Sequence, residues 1–167
     1  TITLSAMADT VVFAGSTAAS NGSDVITEHQ VADKYDFSGV LVGGAVANAG
    51  NITLASTTAL ATEGSTIAVA TNKVYVAEVA AEATIDSVAD LVAALTDGGV
   101  MDAVDVAASA EAIIVVGGAD DDTTHYVYGI NNDGTAAVVA SEVALLATVT
   151  TDLAAGVDTL TTANFVF

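Results

Sequence analysis

Short segments in which apolar and polar residues alternate recur along the chain, and such alternation predicts β-strands. Threonine, valine, isoleucine and alanine dominate these segments, and the β-branched members favour pleated backbone. The predicted strands cover residues 1–4, 126–130, 142–150 and 164–167. Further strands are predicted at the short segments 11–13, 52–54 and 113–116, which are bounded by glycine, asparagine or aspartate. A hairpin is predicted over residues 66–79, with its turn near Thr71 and Asn72. A second reversal is predicted at residues 131–134 (Asn-Asn-Asp-Gly), because asparagine and glycine tolerate a positive φ.

One segment departs from this pattern and repeats its apolar residues at helical spacing. Its apolar positions are Ile85, Val88, Leu91, Val92 and Leu95. Thr84 is suited to cap the start of a helix, and Gly98 follows its end. We therefore predict one amphipathic helix over residues 84–97 that covers one face of a sheet.

Together these elements predict a mainly β fold, an antiparallel β-sandwich or roll-like domain with that single helix. A chain of 167 residues is long enough for one domain with its own core. We therefore take residues 1–167 as a single β-rich domain. A subdivision near residue 81 stays open, because the predicted strands give way to the helix there.

The charge balance narrows the classes of partner. Two basic residues, Lys34 and Lys73, stand against 21 acidic residues, which gives a net charge of −19. Such a surface repels phosphate backbones and anionic headgroups, so we expect neither nucleic-acid binding nor adsorption to a membrane. No uninterrupted apolar run reaches 18 residues, so membrane insertion is not expected either. The absence of cysteine and the near absence of basic residues suit an exported bacterial protein that is extracellular or lies at the cell surface.

Several segments, in a fixed order, resemble a known group of proteins. Residues 9–13 (DTVVF) are followed by residues 23–28 (SDVITE) and 32–38 (ADKYDFS), and residues 164–167 (NFVF) form a hydrophobic tail. This order resembles the C-terminal regions of bacterial proteins exported by type I secretion, many of which are repeats-in-toxin proteins. The resemblance implies export by the type I secretion apparatus, which reads the short tail. The glycine-rich calcium repeats of that group are missing here, and residues 117–120 (GGAD) match only a fragment of one.

Aspartates are the candidate metal ligands, because Ca²⁺ prefers carboxylate and carbonyl oxygens. The candidates are the adjacent Asp120, Asp121 and Asp122, together with Asp24, Asp33 and Asp36. The resemblance implies that the second group converges if its strands are neighbours. The sequence therefore predicts calcium as a bound cation. The alternative is a solvated loop tip for the adjacent group and ordinary turn or cap residues for the others.

Nothing in the sequence marks a catalytic centre. His29 and His125 are the only imidazoles, and no metalloprotease or nucleophile motif surrounds either one. We therefore expect that the chain is not an enzyme. A carboxylate pair of the glycosidase kind stays an alternative, because acidic residues are abundant. Haem ligation by His29 and Tyr35 is a further alternative, but ordinary surface or strand positions explain these residues better.

The unprotected edges of the predicted strands indicate a structural role. An apolar content of 53% with 14% charged residues is unusual for a soluble monomer. Globular proteins protect sheet edges with lysine, proline or bulges, and this chain has two lysines and no proline. We therefore predict a secreted, non-enzymatic subunit that assembles with other copies of itself into an extracellular filament or surface layer, aided by calcium. The predicted intersubunit residues are Thr1, Ile2, Thr3, Leu4, Phe165, Val166 and Phe167. The alternative is a C-terminal secretion or binding module of a larger type I secreted adhesin or hydrolase.

Overall fold

The fold consists mainly of β-strands. The computed structural model describes residues 1–15, 22–40, 53–56, 67–69, 73–79, 85–96, 99, 101, 104–106, 108, 111–117, 123–132, 134, 137–151, 157 and 160–166. Their strands are β1 (Ile2–Thr3), β2 (Thr10–Val12), β3 (Asp24–His29), β4 (Lys34–Asp36), β5 (Thr53–Ser56), β6 (Ile67–Val69), β7 (Lys73–Glu78), β8 (Val104–Val106), β9 (Glu111–Gly117), β10 (Thr124–Asn131), β11 (Val143–Thr151) and β12 (Phe165–Val166). The α-helix within these residues is α1 (Val88–Leu95), and short 3₁₀ turns lie at Ala140–Glu142 and Thr162–Asn164. The predicted mainly β fold is confirmed, and the described residues include the predicted kind of helix.

The strands form one large mixed sheet and two smaller sheets. The large sheet has the order β1-β3-β11-β10-β9-β7-β5, a second sheet has the order β12-β4-β2, and β6 pairs with β8. Strand β10 runs antiparallel to both β9 and β11, whereas the other seven described pairings are parallel. The antiparallel part of the prediction is therefore wrong for most pairings. An alternating pattern fixes which face of a strand is buried, but it does not fix the direction of the neighbouring strand.

The hairpin predicted over residues 66–79 is also wrong. Strand β6 pairs with β8, and β7 pairs with β5 and β9, so the two predicted arms belong to different sheets. All of these pairings are parallel, and a short turn joins only antiparallel neighbours. The apolar alternation of both arms is real, but each arm finds its partner elsewhere in the chain.

The other predicted reversal is confirmed between β10 and β11. These strands pair antiparallel from Thr124 opposite Thr150 to Ile130 opposite Val143. After β10, the backbone N–H of Gly134 donates a hydrogen bond of 3.1 Å to the side chain of Asn132. Gly134 has a φ of 111°, which glycine adopts without a steric penalty.

The large sheet is the middle layer of the molecule, and the first core lies between it and the β12-β4-β2 sheet. Phe13, Tyr35 and Phe37 contribute aromatic rings from the side of the small sheet, and Ile113 and Val115 of β9 face them. All five side chains are buried. The two sheets therefore pack as a sandwich, as the sequence predicts.

The second core lies on the opposite face of the large sheet, under α1. Ile114 and Val116 of β9 pack there with Leu91 and Ala94 of the helix. Strand β9 thus buries both of its faces, which explains why its apolar residues form a continuous run and do not alternate. The amphipathic helix covers one face of the sheet, as its spacing predicts.

The helix begins later than the sequence predicts. Its N-cap is Ser87, whose hydroxyl accepts the backbone N–H of Asp90 at 3.3 Å. The hydroxyl of Tyr128, on β10, donates a hydrogen bond of 2.8 Å to the carbonyl of Ile85. This bond holds the segment that precedes the helix against β10. The predicted cap, Thr84, lies outside the described residues. A serine followed three residues later by an acidic residue is a strong helix start, and here it sets the boundary.

A bulge in β3 determines which side chains of this strand are buried. Ile26 and His29 are both buried although they are three positions apart, and Glu28 between them is exposed. Glu28 has a φ of 63°, in the left-handed region. The parallel register between β3 and β11 shifts at the same place, between Val149 and Thr151. Strict alternation would bury Glu28, and the bulge buries His29 in its place.

Candidate functional site

Strand β1 forms one edge of the large sheet, and its outer side carries no described partner strand. The N–H of Leu4 donates to the carbonyl of Thr27 at 3.0 Å, so the backbone of β1 bonds β3 on one side. Successive residues of a parallel strand direct their backbone groups to opposite sides. The N–H and C=O of Thr3 therefore point away from β3, toward the open edge.

Strand β2 forms an edge of the three-stranded sheet in the same way. The N–H of Phe13 donates to the carbonyl of Asp36 on β4 at 2.9 Å. The backbone groups of Val12, one position earlier, therefore point outward. Its side chain is 62% exposed, so this edge presents both backbone groups and an apolar surface.

Exposed apolar side chains are concentrated near these two edges. The exposed large hydrophobic side chains of the described residues are Ile2, Met7, Val12, Val25, Val31 and Val139. All but the last lie within residues 2–31, on or beside β1, β2 and β3. Neither β1 nor β2 contains a charged residue or a proline, which are two of the usual protections of an edge strand. The arrangement is suited to addition of a further strand by another polypeptide.

Some of the predicted intersubunit residues serve the chain's own core. The side chains of Leu4 and Phe165 are buried in the first core. The ring of Phe165 lies 5.9 Å from that of Tyr35 and 6.2 Å from that of Phe37. Val166 is half-buried and pairs with Asp36 of β4. The side chains of Leu4 and Phe165 are therefore not available to a neighbour.

The remaining predicted intersubunit residues are placed as follows. Thr1, Ile2 and Thr3 are exposed, and Phe167 lies outside the described residues. The hydroxyl groups of Thr3 and Thr27 lie 3.2 Å apart across the first pairing. Among the predicted N-terminal intersubunit residues, Thr1, Ile2 and Thr3 therefore stay candidates for assembly, together with the outward backbone groups of β1.

Two of the predicted calcium ligands close loops within the chain. The carboxylate of Asp33 is buried and accepts the backbone N–H groups of Asp9 and Gln30, each at 2.8 Å. The carboxylate of Asp36 accepts the N–H of Ser38 at 2.8 Å. These contacts are those of ordinary turn residues, the alternative that the sequence left open.

The other predicted ligands do not form a described metal site. Asp24 is the first residue of β3, opposite Ala147 of β11. Asp120, Asp121 and Asp122 lie outside the described residues. Within the described part of the chain, no group of three or more histidine and acidic side chains is arranged to hold a metal ion.

Two histidines and a tyrosine form a buried cluster between the sheets, which the sequence did not predict. His29 is 0% exposed and His125 is 1% exposed. The hydroxyl of Tyr35 lies 2.5 Å from Nε2 of His125. The ring of His29 stacks on that of Tyr35 at 4.9 Å and meets that of His125 edge to face at 5.6 Å. The local pattern did not reveal this cluster, because the bulge at Glu28 reverses the side to which His29 points.

Burial keeps both imidazoles in the neutral form. It lowers the pKa of His29 to about 4, against an opposing effect of the Asp33 carboxylate. It lowers the pKa of His125 to about 3, and the neighbouring His29 adds to the effect. Burial and then the charge of Asp33 raise the pKa of Tyr35 well above its usual value. At neutral pH the cluster is therefore uncharged.

Comparison of the chain with protein-family models, with curated proteins and with solved structures found no match. Among the described residues, no helix is long and apolar enough to cross a membrane. Function must therefore be argued from the edges, the charge and the buried cluster themselves.

Proposed function

We propose that the chain is a secreted, non-enzymatic structural subunit that assembles with copies of itself into an extracellular filament or surface layer. The observation that carries the proposal is the pair of edge strands β1 and β2, with outward backbone groups at Thr3 and Val12 and exposed apolar side chains beside them. Because the two edges belong to different sheets, a contact between β1 of one copy and β2 of the next is heterologous. A heterologous contact that does not close on itself produces a filament.

Cations assist this assembly in the proposal. A net charge of −19 makes copies of the chain repel one another. Calcium would screen or bridge the carboxylates outside the cell, so that assembly follows export by the type I secretion apparatus. Of the predicted ligands, Asp120, Asp121 and Asp122 are the ones we retain for this role, since Asp33 and Asp36 bond the backbone of their own loops.

Proline substitutions test the edges without removing core side chains. Thr3→Pro and Val12→Pro each delete one outward N–H and leave the backbone hydrogen bonds to β3 and β4 in place. The hydroxyl contact between Thr3 and Thr27 is lost in both Thr3→Pro and Thr3→Ala, so it does not distinguish them. Thr3→Ala and Val12→Ala shorten the same side chains but keep the N–H, so they are matched controls. Each variant is first compared with the parent by circular dichroism and melting temperature, to establish that it folds.

Assembly is then measured by sedimentation and negative-stain microscopy at high protein concentration, with millimolar calcium and with chelator. We expect the parent and the alanine variants to form filaments or layers, and the proline variants to stay small. A parent that remains a single particle with calcium would refute the proposal. Proline variants that polymerise like the parent would refute edge pairing as its mode. Equal polymer content in chelator would remove calcium from the proposal.

A further inference from the structure

The buried cluster connects the two sheets of the sandwich. His29 ends β3 and His125 lies on β10, both in the large sheet, whereas Tyr35 is the central residue of β4 in the small sheet. The contact between the Tyr35 hydroxyl and His125 Nε2 is therefore a polar link across the first core. The stacked rings of His29 and Tyr35 form an apolar link beside it.

The cluster has no place for an added proton. Nδ1 and Nε2 of His29 and Nδ1 of His125 are buried without a hydrogen-bond partner among the described residues. Protonation gives each ring a second N–H and a positive charge, and a buried charge without a partner costs several kcal/mol. The rings of Phe13, Phe37 and Phe165 surround Tyr35 and offer no acceptor.

Among the described residues, few charged or titratable groups act on the rings. Asp33, in the loop before β4, exerts an electrostatic effect on both His29 and Tyr35, but its carboxylate already accepts two backbone N–H groups. The titratable side chain of β10 that contacts the ring of His29 is His125, and that of β4 is Tyr35. From β11, the hydroxyl of Thr151 donates to the backbone carbonyl of His29 at 3.0 Å. Glu28, next to His29, is exposed to solvent.

We propose that His29, Tyr35 and His125 form an acid-sensitive latch, which holds the β12-β4-β2 sheet against the large sheet at neutral pH and releases it when the histidines are protonated. The latch is a property of the folded chain and does not depend on the proposed assembly. It gives the chain a stability that is present in neutral surroundings and lost in acidic ones.

The direction of the pH effect follows from proton linkage. In the unfolded chain both imidazoles titrate near 6.5, whereas in the folded chain they resist protonation until about pH 4 and pH 3. Between these values the unfolded state binds more protons, so the folded state loses stability as pH falls below about 6.5. Each histidine raises the unfolding equilibrium constant by up to about tenfold per pH unit in this range.

Denaturant unfolding at pH 7, 6, 5 and 4 tests the latch in the parent and in two variants. His29→Phe keeps a ring to stack on Tyr35 and removes one titrating group. Tyr35→Phe combined with His125→Phe removes the other titrating group together with the hydroxyl that would lose its partner. From pH 6 to pH 4 we expect the unfolding equilibrium constant to rise more steeply in the parent than in either variant. The difference should be an additional factor of about ten per pH unit. Identical slopes in all three proteins would overturn the proposal.

Two measurements on the parent alone keep the test decisive if a variant fails to fold. Imidazole NMR shifts should stay those of neutral rings down to about pH 5 in the folded chain, and titration near pH 6.5 would overturn the proposal. Amide hydrogen exchange, corrected for its intrinsic pH dependence, should show β4 losing protection on acidification before β10 does. Simultaneous loss in both strands would show that the chain unfolds as one unit and that no latch between the sheets is released.

Discussion

The left-handed backbone of Glu28 leads to a direct test of how His29 comes to be buried. Glu28 is exposed and has a φ of 63°, at the place where the register between β3 and β11 shifts. Glycine adopts this conformation without a clash, whereas a side chain with a Cβ does not. Glu28→Gly should therefore stabilise the chain, although glycine usually weakens a strand.

Two opposing terms set the size of the effect. Relief of the left-handed conformation contributes roughly 1–2 kcal/mol. The greater backbone entropy that glycine loses on folding costs about 0.5–1 kcal/mol. We therefore expect a net stabilisation of about 0.5–1 kcal/mol. For a chain of this size, 1 kcal/mol corresponds to about 2–4 °C, so the melting temperature should rise by roughly 1–4 °C.

Urea denaturation of the parent and three variants measures this difference. Removal of one carboxylate from a chain with a net charge of −19 is itself favourable, so Glu28→Ala is the control that removes the charge and keeps the Cβ. Glu28→Asn is the second control, because asparagine tolerates a positive φ better than other non-glycine residues. The expected order of stability is Gly above Asn above Ala. If Glu28→Gly is no more stable than Glu28→Ala, the bulge is wrong and the burial of His29 loses its explanation.

Three further substitutions test the packing on which both proposals depend. Phe165→Ala should lower the free energy of unfolding by about 3–5 kcal/mol in urea denaturation, because its ring is buried in the first core, and a loss below about 1 kcal/mol would place the ring outside that core. Gly117→Ala should cost about 1–3 kcal/mol, since its Cβ would collide with Cγ1 of Val157 and lie 2.9 Å from Cβ of His125. Adding Val157→Ala should recover part of the loss, and strict additivity would contradict the contact. Asp33→Ala should cost about 1.5–3 kcal/mol by removing the acceptor of two N–H groups. Asp33→Asn should cost less because its amide oxygen still accepts one, and equal losses in both variants would contradict a carboxylate that bonds both groups.

The sequence determined the elements that depend on neighbours along the chain. Alternation and short apolar runs bounded by turn residues located most of the strands, and the spacing of Leu91 and its neighbours located the helix. The turn after β10 followed from glycine and asparagine at residues 131–134, since a positive φ is a local requirement. The expectations about partners also follow from charge and composition, because these concern the whole surface and not one arrangement of it.

Tertiary structure decided the pairing of strands that are distant in sequence. The pattern of β3 is compatible with either strand direction, and its parallel place between β1 and β11 depends on contacts across the fold. The same holds for the burial of Leu4 and Phe165, which alternation alone allowed to face a neighbouring copy.

The histidine cluster shows most clearly what local pattern cannot supply. Tyr35 and His125 are 90 positions apart, and they meet only because β4 packs over the large sheet. His29 joins them only because one residue of β3 adopts a left-handed conformation and shifts the alternation by one position. Side-chain burial is set by the free energy of the whole packed sandwich, which outweighs a local backbone penalty of roughly 1–2 kcal/mol at Glu28.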